Sequence, residues 1–217
     1  MRILIEVAIM RFLKLISVIT LFLSTNALAE DNMQLHPTST HQYATFAGGC
    51  FWCIQPAFDS LEGVTKTTVG YSGGSEGDAN YEAVSSHETE HKEAIQIEYD
   101  PTKVTYTKLL ERFMHNIDPT DAEGQFADKG PQYHTAIYYH NEEQKKQAEE
   151  FFKKLEQDPK FKGNIKTEII PYKNFYSAEE YHQKYYQKNA THYNLYKYGS
   201  GRVSKLKQIW GDEDGGH

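Results

Sequence analysis

Phe46-Ala47-Gly48-Gly49-Cys50-Phe51-Trp52-Cys53-Ile54-Gln55-Pro56-Ala57-Phe58-Asp59-Ser60-Leu61 holds the only two cysteines of this 217-residue chain, in C-x-x-C spacing behind two glycines. From Cys50 onward the apolar residues Phe51, Ile54, Phe58 and Leu61 recur at three and four residues, which is helical periodicity. Tyr43 to Ala47 is short and apolar and suits a strand that ends at Gly48-Gly49. Cys50 is therefore expected where a strand turns into a helix, with Cys53 about one turn later on the same face. The first turn of a helix has unpaired N–H groups and the positive end of the dipole, which favour a thiolate. The thiolate is the reactive form, so Cys50 is the expected nucleophile. Cys53 is placed to attack whatever Cys50 becomes. The same spacing also suits a structural disulfide, an inert buried pair or half of a metal site. A four-ligand zinc site is weakened because the chain has no second C-x-x-C. Glycines let backbone approach a ligand closely, and with Phe51-Trp52 they favour a redox site.

The length suits one domain with a sizeable core. Residues 1–29 read as a secretory signal: Arg11 and Lys14 form the basic region, Leu15 to Leu23 the apolar one, and Ala27-Leu28-Ala29 the cleavage site. Met1 and Met10 are both candidate starts. Glu6, Arg11 and Lys14 interrupt the apolar run, so no uncharged membrane span is expected. The chain is expected to be exported, periplasmic or secreted, and soluble once cleaved after Ala29. Loss of Arg2, Arg11, Lys14 and Glu6 with the signal leaves 20 basic and 29 acidic residues, a net charge of −9. That excess argues against nucleic acid or anionic lipid as the main partner. An oxidising compartment holds such cysteines as a disulfide unless something reduces them, so a reductase there needs a dedicated electron supply.

Residues 30–42 are polar and predict a loose leader. Val64 to Val69 predicts a strand running into a glycine loop, Gly70 to Asn80. Ile95, Ile97 and Tyr99 alternate with Gln96 and Glu98, a half-buried strand ending at Asp100-Pro101. His87-Glu88-Thr89-Glu90-His91 matches the zinc-hydrolase pattern H-E-x-x-H, which works only on a helix. The strand begins too soon after it to leave room for one. Tyr106 to Ile117 predicts an amphipathic helix capped by Thr105 or Thr107, and residues 119–132 a second loop. A strand is predicted at Thr135 to Tyr139, a helix capped by Asn141 over 141–158, and a strand at Ile165 to Ile170. Ser177 is expected to cap a tyrosine-rich helix ending at Lys188. Residues 199–217 read as a polar, mobile tail, leaving 43–198 as the domain. About five strands and four helices without a βαβ repeat point to an α+β two-layer fold.

Gly48-Gly49-Cys50-Phe51-Trp52, Gly70-Tyr71-Ser72-Gly73-Gly74, Tyr81-Glu82-Ala83-Val84, His91-Lys92-Glu93-Ala94 and Gly130-Pro131-Gln132-Tyr133 occur in that order. Together they resemble the peptide methionine sulfoxide reductase A family, over roughly residues 43–187. The resemblance implies a ferredoxin-like core with a mixed sheet and helices packed on it. It implies that Cys50 attacks the sulfur of a methionine S-sulfoxide, free or in proteins, with Phe51 and Trp52 forming the pocket for the methyl group. Glu93 would donate a proton to the sulfoxide oxygen, Tyr81 and Tyr133 would hydrogen-bond that oxygen, and Asp128 would help hold the substrate.

These residue types suit that chemistry. A sulfoxide oxygen leaves only when protonated, and a glutamate stays protonated near neutral pH when an apolar site raises its pKa. The sulfenic acid left on Cys50 condenses with a nearby thiol. Cys53 is the candidate this chain offers, and an external, thioredoxin-like dithiol would then reduce the Cys50–Cys53 disulfide. No cofactor or metal is implied, and a monomer is expected. Many relatives have glycine at the position of Cys53, glutamate at that of Gln55, and resolving cysteines near the C-terminus; this chain has none there. A direct thiol–disulfide oxidoreductase, a zinc hydrolase built on His87 and His91, and a non-catalytic module with a structural disulfide are the competing readings.

Overall fold

Strand β1 (Gln42–Ala47) enters the turn at Gly48-Gly49 and leads into helix α1 (Phe51–Asp59), with Cys50 as its N-cap residue. Next come β2 (Val64–Ser72), a short helix α2 (Tyr81–Ser85), β3 (Lys92–Tyr99) and α3 (Tyr106–Met114). A small hairpin, β4 (Gly124–Gln125) with β5 (Asp128–Lys129), precedes β6 (Ala136–Tyr139), α4 (Glu142–Leu155) and β7 (Glu168–Pro171). The chain continues through β8 (Tyr176–Ser177), α5 (Tyr185–Lys188), α6 (Ala190–Gly199) and α7 (Arg202–Trp210). This computed structural model describes residues 41–211. The expected signal segment, residues 30–40 of the leader and residues 212–217 of the tail lie outside the described residues.

The main sheet has the order β7-β6-β1-β3-β2-β8. Its pairs are antiparallel except β6 with β7, which run parallel, so the sheet is mixed and the fold is α+β. Its four central strands, with α1 and α3 as crossovers, follow a β-α-β-β-α-β path, the ferredoxin-like arrangement. One face carries the core: Phe46, Ile95 and Ile97 of the sheet meet Ile54 and Phe58 of α1 and Leu109, Leu110 and Phe113 of α3. Phe46 stacks between Phe113 and Phe58, at 4.7 and 5.9 Å between ring centres. Each such side chain stabilises the fold by roughly 1.5–3 kcal/mol on burial. Asn80, Thr105 and Asn141 cap α2, α3 and α4 by accepting a backbone N–H three residues on.

The two-residue period of β3 has a consequence for the site. Glu93 is in phase with Ile95 and Ile97, so it faces the helices rather than solvent, and it is 4% exposed.

Several expectations are corrected. The glycine loop is shorter than its composition suggested, because Gly70 to Ser72 continue β2, and the loop before β3 contains the helix α2. Of the helix expected from Ser177 to Lys188 only Tyr185–Lys188 is helical. Tertiary hydrogen bonds win over the local ladder there. The Gln183 amide accepts from Val69 N–H at 3.0 Å and donates to Val69 C=O at 2.8 Å, and Ser177 pairs with Gly70. Lys184, next in line, has φ of +52°.

The tail expected after Tyr198 is also different. It includes α7, whose Arg202 donates to the Asn116 carbonyl at 2.6 Å and whose Trp210 donates to the Ile117 carbonyl at 3.0 Å. Trp210 stacks on Phe161, and Leu206 is buried. The segment is polar in composition, but its few apolar residues share the face that docks. Among the described residues no helix is long and apolar enough to cross a membrane.

Candidate active site

Gly49 has φ of +77°, and a Cβ there would lie 2.6 Å from Cβ of Gln125. Glycine is needed at this point because the backbone is left-handed and the turn packs on a buried side chain. Gln125 itself is held by three hydrogen bonds: it accepts from Asp118 N–H and donates to the Asp118 and Gly124 carbonyls, each at 2.8 Å. The turn is thereby clamped between core and hairpin, which sets Cys50 at the start of α1.

Cys50 and Cys53 are both free and nearly inaccessible, at 6% and 3% exposed. Their thiols are hydrogen-bonded to each other. Burial above all, then the bond to Cys53 and the charge of Glu93, push the Cys50 thiol well up. The bond from Cys50 lowers Cys53 against its own burial, helped by the charges of Arg202 and Lys197. Burial thus favours the thiol at Cys50. The thiolate expected at Cys50 from its place on the helix is overridden, because desolvation of a buried anion outweighs the dipole.

Glu93 lies beneath the same helix end. The Phe51 N–H donates to Glu93 Oε2 at 3.0 Å. That bond favours the carboxylate, but burial prevails and raises the carboxyl to about 8, with Asp128 and Cys53 adding to the rise. Glu93 therefore holds its proton at neutral pH beside the cysteines. Tyr81, at the first turn of α2, and Tyr133, just before β6, are both half-buried. Their phenols are raised first by burial and next by the charges of Glu93 and Cys50, which brings both hydroxyls into the same electrostatic neighbourhood. Asp128, on the hairpin, is raised by burial while accepting a hydrogen bond from the Tyr196 hydroxyl.

Phe51 is fully enclosed, whereas Trp52 is half-exposed at the rim. The Trp52 ring stacks on Tyr185 at 3.9 Å and 7°, meets Tyr196 edge-on at 6.0 Å, and donates from Nε1 to His182 Nδ1 at 2.9 Å. Tyr196 is raised by burial and then by the charge of Cys50, and its contacts with Asp128 and Trp52 bring α6 against the hairpin and the cysteine helix. The sequence-predicted set is therefore brought together: Cys50, Cys53, Phe51 and Glu93 at the centre, Tyr81, Tyr133 and Asp128 around them, and Trp52 half-exposed beside them. His182, Tyr185, Tyr196 and Arg202 were missed by sequence reasoning. The first three lie in the aromatic-dense stretch between Tyr181 and Tyr198, their only signal; Arg202, in the polar stretch after it, had none.

The zinc pattern does not form a site. His87 stands in a turn with φ of +68°, off any helix. His91 is buried, with Nε2 bonded to the Ser75 carbonyl at 2.8 Å and Nδ1 accepting from Gly74 N–H at 3.2 Å. It fastens the glycine loop. Among the described residues no three His, Cys, Asp or Glu side chains gather as a metal would require. Gln55, the other departure, is buried; it donates to Thr67 Oγ1 at 3.0 Å and accepts from Lys184 N–H at 2.7 Å.

Residues 42–214 match the family model described as peptide methionine sulfoxide reductase. A protein of Bacillus velezensis called peptide methionine sulfoxide reductase MsrA is 50% identical over 171 residues, covering 79% of this chain and 97% of that one. Among solved structures, reduced Mxr1 from Saccharomyces cerevisiae aligns with a TM-score of 0.64 at 34% identity, covering 69% of this chain and 86% of the other. Methionine sulfoxide reductase A of Corynebacterium diphtheriae aligns with a TM-score of 0.63 at 31% identity, covering 71% and 77%. The match includes the α6–α7 region as well as the cysteine turn.

Proposed function

The chain belongs to the peptide methionine sulfoxide reductase family, and we propose that it reduces methionine S-sulfoxide, free and in proteins, by way of a Cys50–Cys53 disulfide. The observation that carries this reading is a buried Glu93, bonded to the Phe51 N–H at the helix end that also presents Cys50, where burial favours its proton, with Cys53 as the neighbouring thiol. A methionine sulfoxide enters past Trp52 with its methyl group toward Phe51 and its oxygen toward Glu93, Tyr81 and Tyr133. Asp128, shared with Tyr196, steadies the rest of the substrate. The Cys50 sulfur attacks the sulfoxide sulfur as Glu93 gives its proton to the oxygen. The thiol proton of Cys50 passes to the Glu93 carboxylate. The bond so formed between the two sulfurs and the substrate's S–O bond then break as the hydroxyl passes to the Cys50 sulfur, which leaves Cys50 as a sulfenic acid and releases methionine as the thioether.

Cys53 then attacks the Cys50 sulfur, releasing water and forming the disulfide. The charges of Arg202 and Lys197, which favour the Cys53 anion, suit it to this step, because thiolate character speeds attack. Two thiols of a thioredoxin-like protein return the pair to the reduced state and leave as a disulfide. The enzyme works as a monomer. The signal pattern of residues 1–29 supports export and a role in repairing exported proteins; intact mass of the secreted chain, starting at Glu30, tests that part.

The deciding experiment incubates the reduced protein with separate S and R epimers of a blocked methionine sulfoxide and counts free thiols. Loss of two thiols with the S epimer alone, matched by one thioether, is expected. No thiol loss with either epimer removes the reading.

A further inference from the structure

His182 takes no part in the chemistry above, yet it sits among the groups that perform it. It is 1% exposed, and its ring lies 5.0 Å from that of Phe51, 5.7 Å from Trp52 and 4.7 Å from Tyr81. These are the methyl pocket and one of the oxygen-binding phenols, carried by two different helices. An indole N–H is only a donor. The 2.9 Å contact from Trp52 Nε1 therefore requires a bare Nδ1 on His182, and the ring proton resides on Nε2. That nitrogen has no hydrogen-bond partner and faces Glu179 Oε2 at 3.9 Å, a charge that favours a proton there. Glu179 is itself fixed. It accepts from the Tyr71 hydroxyl and from the Tyr81 backbone N–H, each at 2.9 Å. One short segment, Glu179 to His182, thus ties β2, α2 and α1 together behind the pocket.

We propose that His182, as the Nε2-protonated tautomer, is a positioning residue of the reductase: it locks the Trp52 indole and spaces Phe51 and Tyr81 so that the substrate methyl and oxygen are received together. The inference rests on the reductase reading of the site. Without the acceptor, Trp52 keeps its stack on Tyr185 but loses the one directional contact that fixes the ring's rotation. The opposite tautomer would set donor against donor and expel the indole.

The wild-type protein gives the first test. With uniform ¹⁵N labelling, a scalar coupling through the hydrogen bond between Trp52 Nε1 and His182 Nδ1 is expected, with Nδ1 at the shift of an unprotonated nitrogen. A protonated Nδ1 overturns the proposal. Trp210→Phe assigns the Trp52 signal, since the chain has two tryptophans. The second test compares His182→Phe, which keeps a ring but removes the acceptor, with His182→Asn, whose side-chain oxygen falls near the place of Nδ1.

His182→Phe is expected to raise KM for the S-sulfoxide at least tenfold and to change the single-turnover rate less. His182→Asn is expected to restore KM to within about threefold of wild type. Trp52→Phe is expected to add little in the His182→Phe background. Equal damage in both His182 variants, or full additivity with Trp52→Phe, shows mere packing and overturns the proposal. A wild-type protein that shows the coupling but leaves S-sulfoxide unreduced overturns the reductase reading and, with it, this role.

Discussion

Glu93 joins two opposing influences in one carboxyl group. The Phe51 N–H at the helix end favours its charge, while burial raises it from an ordinary value near 4.5 to about 8. The folded chain therefore binds a proton between these values that the unfolded chain has lost. Stability contributed by this group is full below about pH 4.5 and is lost as pH rises toward about 8. Glu93→Gln keeps an acceptor for Phe51 but cannot ionise, so its urea unfolding should gain on wild type from pH 5 to pH 8; parallel curves would show an ordinary carboxylate. The same variant should slow the chemical step by about 10²–10⁴-fold and lack the loss of rate expected of wild type as pH rises through about 8. A slowing below tenfold in single-turnover assays would take the acid's role from Glu93. Cys53→Ser should release about one methionine per enzyme and then stall with a protein dithiol. Continued fast turnover would mean that the reductant attacks the Cys50 sulfenic acid directly.

The C-terminal helices act as a cover over the cysteine helix. α6 brings Tyr196 to Asp128 and to the edge of Trp52, and α7 anchors it through Arg202 and Trp210. Arg202 also lies over the Phe126 ring at 4.8 Å, next to the hairpin that carries Asp128. The element thus reaches both the hairpin that carries Asp128 and Cys53, whose pKa Arg202 lowers. Trp210→Ala deletes the stack on Phe161 and leaves the Ile117 carbonyl without this donor. A loss of about 2–4 kcal/mol in urea unfolding is expected. A loss below about 0.5 kcal/mol, the size of an ordinary surface change, would mean that α7 is loosely held.

On the scale of the whole molecule, one end of the ferredoxin-like sheet carries the site. β1 and β3 end side by side there, Ala47 pairing with Ala94, so the turn bearing Cys50 and the start of β3 bearing Glu93 meet at one sheet end. The chain carries a net charge of −7, and fields of that sign draw in cations over a range set by salt. A methionine sulfoxide peptide flanked by lysines should show a severalfold lower KM than one flanked by glutamates at low ionic strength. The difference should shrink in 0.5 M salt. Equal values at low salt would mean that peptide choice is made only within the pocket.

The sequence by itself determined the elements of the core and the placement of Cys50 and Cys53, because apolar periodicity and capping residues act within a few positions of one another. It also determined the phase of Glu93 with Ile95 and Ile97, from which burial follows once helices cover that face. The tertiary structure alone decided that the stretch from Glu179 to Trp210 folds back over the site. His182 lies 130 residues from Trp52, and Tyr196 lies 68 from Asp128. No local pattern contains such a contact. It arises because polar groups buried far apart in the chain satisfy each other's hydrogen bonds, and those bonds override the helix that residues 177–188 favour on their own. The state of Cys50 belongs to the same class: its place on a helix is local, whereas the burial that keeps its proton is set by everything packed around it.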